Sequence, residues 1–291
     1  METNSLTKKN HLLETKTVKL NNKSIIRYAE LGAKFKSTII LLHGVPENLN
    51  SWYAVAPQLA KSYRVLALDW PGFGGSDPFT NNEDYNPHNF ALAVLEFMDA
   101  LKVKNAIIIA SDIALLPAFL IGLEHPKRVS KLVVMDGIPF RRPKYASWEL
   151  NSFTKKKSLR AKFMIKWFPR ISAQIGYNKG FYKKHSIPAD ILEEFLDDGS
   201  NATNQNAFAS YFQNFHRGQD YFEERAHLLN TPVLVIWGKH DRFINIKLAY
   251  EIVEKLPNAK LEIIDKAGHY VHMDTPDALV KALTNFIEIN Q

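Results

Sequence analysis

The pentapeptide Ala110-Ser111-Asp112-Ile113-Ala114 is the stretch best placed to do chemistry. A buried apolar run, Ala106 to Ile109, leads into it, and an apolar helical pattern follows at once. A strand that turns directly into a helix strains the residue at the bend. The residues two before and two after must be small or they collide. Centring the turn on Asp112 puts Ala110 and Ala114 at those positions; centring it on Ser111 puts the bulky Ile109 and Ile113 there. Asp112 is therefore read as a nucleophile and Ser111 as its neighbour. A carboxylate with an ordinary pKa of about 3.9 is ionised at neutral pH. It needs no base to attack a saturated carbon bearing a leaving group, and that attack gives an alkyl ester on the enzyme. A serine at the bend would instead imply acyl transfer, the alternative in which Ser111 is the centre of an esterase.

Hydrolysing such an ester requires a base that activates water and an acid that orients the base. His269 follows a strand and is preceded by Gly268, which makes it the candidate base. Asp241, three residues after Gly238, is the first candidate for its partner; Asp136, which ends another strand, is the alternative acid. His272 is expected to be structural, His43 to fix its loop, and Asp69 to satisfy loop amides.

The elements that must position these groups alternate. A hairpin is expected from Thr17 to Leu20 and Ser24 to Tyr28 around Asn21-Asn22-Lys23. Continuous apolar runs at Thr38 to Leu42, Tyr63 to Leu68, Ser130 to Met135, Pro232 to Trp237 and Lys260 to Ile264 read as buried parallel strands. Helical periodicity marks Ser51 to Leu59, His88 to Leu101, Ile246 to Leu256 and Pro276 to Ile287. From Ile138 to about His227 the strands stop, and aromatic-rich helical patterns take over at Tyr145 to Phe153, Leu159 to Phe168, Ile191 to Leu196 and Ala207 to Phe215. The expected architecture is a doubly wound, mostly parallel eight-stranded α/β sheet, residues 1–138 and 228–291, with a helical cap, 139–227, inserted.

Composition narrows the classes. The 46% hydrophobic and 23% charged content is that of an ordinary soluble globular chain. The absence of cysteine excludes disulfides and thiolate metal sites and fits a reducing compartment, so a cytoplasmic enzyme is expected. No run approaches the ~20 apolar residues of a membrane span, and no integral membrane association is expected. The histidines lack H-x-x-x-H spacing, and no phosphate-loop motif occurs, so no metal is expected. Net charge is +7, concentrated between Arg141 and Lys184, where 13 Lys or Arg face one acid, Glu149. A solvated helical surface accounts for such a run; sharper readings are steering of an anionic substrate or contact with anionic lipid. No nucleic-acid motif is present. The expected partner is a small-molecule substrate, and a homodimer is compatible with the sequence.

The order of these motifs resembles the α/β-hydrolase family, and within it the branch with an aspartate nucleophile: epoxide hydrolases and haloalkane or haloacetate dehalogenases. His43-Gly44-Val45-Pro46-Glu47 looks like that branch's oxyanion loop, where the resemblance implies a cis bond before Pro46 and the amides of Val45 and Ile113 as oxyanion donors, and Asp69 to Ser76 looks like its D-x-x-G-x-G-x-S loop. The order Asp112, Asp241, His269 is the family order of nucleophile, acid and base. Where dehalogenases of this branch hold a halide or carboxylate with tryptophan, arginine or asparagine, this chain has Ile113, Leu116 and Val45. Epoxide hydrolases usually carry a tyrosine in an N-[WF]-Y-R-like stretch of the cap; here Asn214-Phe215-His216-Arg217 has His216, which can donate to an epoxide oxygen. Trp167, Tyr145, Tyr177 and Tyr182 are the candidates for a second cap donor. The resemblance thus implies a cofactor-free hydrolase, an epoxide hydrolase first, with dehalogenation, a serine esterase and a non-catalytic member of the fold as alternatives.

Overall fold

The computed structural model describes residues 11–154, 169–183 and 187–288. The eight strands form one sheet in the order β1-β2-β4-β3-β5-β6-β7-β8. They are β1 Thr15–Lys19, β2 Ile25–Leu31, β3 Thr38–Leu42, β4 Arg64–Leu68, β5 Ala106–Ser111, β6 Val129–Met135, β7 Val233–Gly238 and β8 Ala259–Ile264. The β1–β2 hairpin and the β2–β4 pair are antiparallel; every later pair is parallel. The apolar runs are buried because successive side chains enter opposite layers. Ile40, Leu42, Ile108 and Val134 join one core with helices Pro87–Ala100, Leu115–Glu124 and Lys247–Lys255. Ile39, Leu41, Ile109 and Val133 join the other with Val55, Leu59 and helix Pro276–Glu288.

Between β6 and β7 the described residues contain helices and no named strand: Trp148–Thr154, Pro169–Gly180, Ala189–Ser200, Ala202–Asn214 and Gln219–Arg225. The helix expected at Leu159–Phe168 lies outside the described residues. Two expectations change. The helix read at Ser51–Leu59 is a 3-10 turn, Leu49–Trp52, followed by a four-residue helix, Ala56–Leu59. Pro57 has no N–H to continue the first turn's bonding and starts a new helix. Pro169–Gly180 escapes the periodicity rule because its Ile171 and Ile175 are 55% and 59% exposed, so its apolar residues do not mark a buried stripe.

The loop after β4 is held from within. Asp69, fully buried, accepts from the amides of Leu49 (2.8 Å) and Gly75 (3.0 Å) and pairs with Arg27 of β2. Arg27 also reaches Glu194 in helix Ala189–Ser200, which ties the sheet to that helix. Removing one member of a buried, hydrogen-bonded pair leaves the other charge uncompensated. Asp69→Ala is expected to lower the unfolding free energy by about 3 kcal/mol or more, read as a fall in the urea midpoint at unchanged slope.

Candidate active site

The turn after β5 is left-handed at one residue: Asp112 has φ +53°, while Ser111 is extended at φ −113°. Ala110 and Ala114 are fully buried, as the small-residue argument requires. The bend aims the Asp112 carboxylate away from its own helix. Its Oδ2 accepts from the Val45 amide at 3.0 Å, and the Ile113 amide donates to the same carboxylate. Gly44 permits this approach, since a Cβ there would lie 2.7 Å from Asp112 Cβ. The Val45–Pro46 bond is cis. His43 holds the loop: its Nδ1 faces the Gly44 carbonyl at 2.6 Å, and its Nε2 accepts from the Trp70 amide at 3.3 Å. Tyr211 donates to the Ile113 carbonyl at 3.0 Å and so fixes the peptide beyond the bend.

His269 faces the bend. Its Nε2 lies 3.7 Å from Asp112 Oδ1, and its Nδ1 lies 3.0 Å from Asp241 Oδ2. The other Asp241 oxygen accepts from the amides of Phe243 (2.7 Å) and Ile244 (3.1 Å), which fixes that carboxylate. Asp136, also left-handed at φ +46°, does not supply the imidazole's partner. Its Oδ1 accepts from the Gly238 amide at 3.0 Å, and its Oδ2 is buried without a hydrogen bond among the described residues. Burial, then the neighbouring Asp241 charge, push Asp136 well above the usual carboxylate range. His272 is fully buried, bonded to Glu47 at 3.0 Å and packed on Trp52.

These charges set the protonation states. Burial raises Asp112 to about 6, against the lowering effects of His269 and the Val45 amide. Burial lowers His269, but the Asp241 charge, its hydrogen bond and the Asp112 charge outweigh it and raise the imidazole to about 10.

Asp112 and His269 open onto a cavity of about 210 Å³ between the sheet and the helical segment. Phe73, Phe208, Phe212, Phe243 and Tyr270 line it, with Glu47, Lys179 and Asn204 among the polar groups. His216 is not at this cavity. The 3-10 turn Phe215–Gly218 carries it outward, where it is exposed and lines a neighbouring cavity of about 360 Å³ with Arg141 and Phe140. Leu150 and Phe212 line both cavities. Trp167 lies outside the described residues. The expected cap tyrosines are also elsewhere: Tyr177 donates to the Pro46 carbonyl at 2.7 Å, Tyr182 packs on His240, and Tyr145 lies under Lys144. Ser111 Oγ is buried without a hydrogen bond among the described residues and does not line the cavity. Sequence reasoning missed Lys179, Tyr211 and Phe243, none of which stands in a motif.

Three described arginines of the basic run pair with acids remote in sequence. Arg141 pairs with Asp220, Arg142 with Glu223 and Glu251, and Arg170 with Glu193 and Asp197. Lys155, Lys156, Lys157, Arg160, Lys162, Lys166 and Lys184 lie outside the described residues. No helix among the described residues is long and apolar enough to cross a membrane.

A family model described as alpha/beta hydrolase fold matches residues 37–276, so the chain belongs to the α/β-hydrolase family and is a hydrolase. Human "Epoxide hydrolase 4" is 25% identical over 284 residues, spanning 90% of this chain and 75% of its own. A "2-hydroxy-6-oxononadienedioate/2-hydroxy-6-oxononatrienedioate hydrolase" of Cupriavidus pinatubonensis is 27% identical over 262 residues, 86% of each chain. Among solved structures, the epoxide hydrolase CorEH without ligand superposes with a TM-score of 0.82 at 19% identity over 94% of this chain and 98% of that one, a likeness of fold.

A histidine raised from 6.5 to about 10 by folding stabilises fully below pH 6.5 and loses that contribution as pH climbs through about 10. The stability gap between wild type and His269→Gln is therefore expected to shrink between pH 7 and 10.5 in urea titrations.

Proposed function

We propose that this hydrolase opens small epoxides through an ester on Asp112. The observation that carries the reading is the carboxylate itself. It stands at a left-handed bend, with Oδ2 against the Val45 amide and Oδ1 3.7 Å from the His269 ring nitrogen. Oδ1 attacks an epoxide carbon, and the ring C–O bond breaks with its electron pair on oxygen. A proton converts that oxygen to the hydroxyl of a hydroxy-ester. Esterification removes the Asp112 charge, which is one of the causes holding His269 at about 10, so the imidazole becomes a better base at the moment one is needed. With that charge gone His269 releases its proton to solvent, and the neutral imidazole then takes a proton from water as the water oxygen attacks the ester carbonyl carbon. The amides of Val45 and Ile113 hold the oxyanion. Collapse returns the Asp112 carboxylate, and the diol oxygen takes the proton from His269.

Residues 139–227 act as the cap that closes this site. Several features favour an epoxide over a halocarboxylic acid. Glu47, Asp112, Glu149 and Asp198 all line the cavity, and a carboxylated substrate would meet that negative set. The mostly apolar walls suit a small uncharged molecule. The similarity to epoxide hydrolase 4 points the same way. Ser111 is the weaker centre because its hydroxyl is enclosed behind the bend.

His269→Gln should form the ester and stall, so an incubated epoxide should appear as added mass on the Asp112 peptide. Asp112→Asn should carry no added mass and produce no diol. A wild type that accumulates no diol from a panel of small epoxides would contradict the reading. Because Asp112 must be ionised to attack, kcat/KM for an active epoxide should rise with pH through about 6.

A further inference from the structure

Opening an epoxide leaves a strongly basic alkoxide, and a buried site must meet that charge with a donor as the bond breaks. The geometry points to Lys179 as that donor: its ammonium binds the epoxide oxygen and protonates it when Asp112 attacks. The inference rests on the epoxide reading above.

Lys179 lines the same cavity as Asp112 and His269, and among the described lining residues it is the one lysine or arginine. Its Nζ lies 5.0 Å from the centre of the Phe243 ring, and that ring stands edge-on to His269 with centres 5.2 Å apart. An aromatic face holds an ammonium without taking its hydrogens into ordinary hydrogen bonds. Glu149 takes one hydrogen at 2.5 Å, and an ammonium has three. The Lys179–Glu149 pair is partly buried, with side chains 27% and 24% exposed, so its charge is only partly screened.

The backbone around Lys179 is fastened to the chemistry on both sides. The next residue, Gly180, accepts the His269 amide through its carbonyl at 2.8 Å. Two residues before, Tyr177 bonds the Pro46 carbonyl in the loop that carries Val45. Three residues on, the Tyr182 amide donates to Asp274 at 2.8 Å, and Asp274 also accepts from the Gly268 amide. Those bonds hold the end of helix Pro169–Gly180 in register with the base and the oxyanion loop. A donor set this way needs little reorganisation when the substrate arrives. The expected cap donors are directed elsewhere: the Tyr177 hydroxyl is occupied by Pro46, and His216 faces the neighbouring cavity.

The step balances. Asp112 Oδ1 forms a bond to carbon, the ring C–O bond breaks, and one ammonium proton moves to the released oxygen. The resulting amine regains a proton from the one set free when the ester is hydrolysed to the Asp112 carboxylate.

The test separates the two half-reactions in single turnover with an epoxide that the wild type converts. Ester formation is followed by mass on the Asp112 peptide, and ester loss by diol release. Lys179→Met is expected to slow ester formation by about 10²-fold and to leave ester loss near the wild-type rate. Lys179→Ala is expected to recover part of the lost rate when methylammonium is added, which a merely structural lysine would not show. Removing Lys179 leaves Glu149 unpaired, so the double variant Glu149→Gln with Lys179→Met is run beside it. Its ester formation should be slow while its thermal unfolding matches the wild type. Wild-type ester formation in either Met variant, or equal slowing of both steps without amine rescue, overturns the proposal alone. A wild type that forms no ester on Asp112 overturns the epoxide reading and this inference with it.

Discussion

A negative charge held out of water at a left-handed bend sets the terms for the rest of this fold. L-residues other than glycine avoid positive φ because Cβ crowds the neighbouring carbonyl. Asp112 takes that conformation at +53°, and the surroundings over-determine it. β5 is pinned between β3 and β6 on one side of the bend, while Ala110 and Ala114 leave room for it. Gly44 lets the oxyanion loop come within contact of the Asp112 side chain, and Tyr211 bonds the carbonyl just past it. With the backbone fixed this way the carboxylate meets the amides of Val45 and Ile113.

Charge balance follows from that placement. Asp112, Asp136 and Asp241 all sit near one imidazole, and three buried carboxylates cannot all be ionised cheaply. The structure separates them by their donors. Asp241 holds two amides and the His269 Nδ1, whereas Asp136 holds one amide and is driven toward its neutral form. His269 Nδ1 therefore pairs with Asp241, while Asp136 braces the strand end at Gly238. Glu47 and His272 form a second buried pair beside the same cavity, which keeps the oxyanion loop attached to the turn that follows His269.

Much of this was legible in the sequence because it is local. The parallel strands are short apolar runs, and Thr38–Leu42 is bounded to the residue. The bend announces itself through the two alanines, and Asp241 and His269 each follow a strand. What resisted reading depends on contacts between distant segments. The excess of basic residues from Arg141 onward reads as a bare positive surface, yet Arg141, Arg142 and Arg170 meet Asp220, Glu223, Glu251 and Glu193, supplied from later helices. His216 stands in a motif-like stretch, but a single 3-10 turn rotates it out of the site. Lys179 and Phe243 belong to no pattern; only the packing of helix Pro169–Gly180 against the His269 loop brings them to the cavity.

The central claim is that an Asp112 oxygen becomes part of the product and is replaced from water. Turnover of an active epoxide in ¹⁸O-labelled water, followed by mass analysis of the Asp112 peptide, measures this directly. The account predicts that label accumulates in that carboxylate over repeated turnovers and that the first diol formed is unlabelled. Label in the first diol with none in Asp112 would mean that water attacks the substrate directly, and the account would fail.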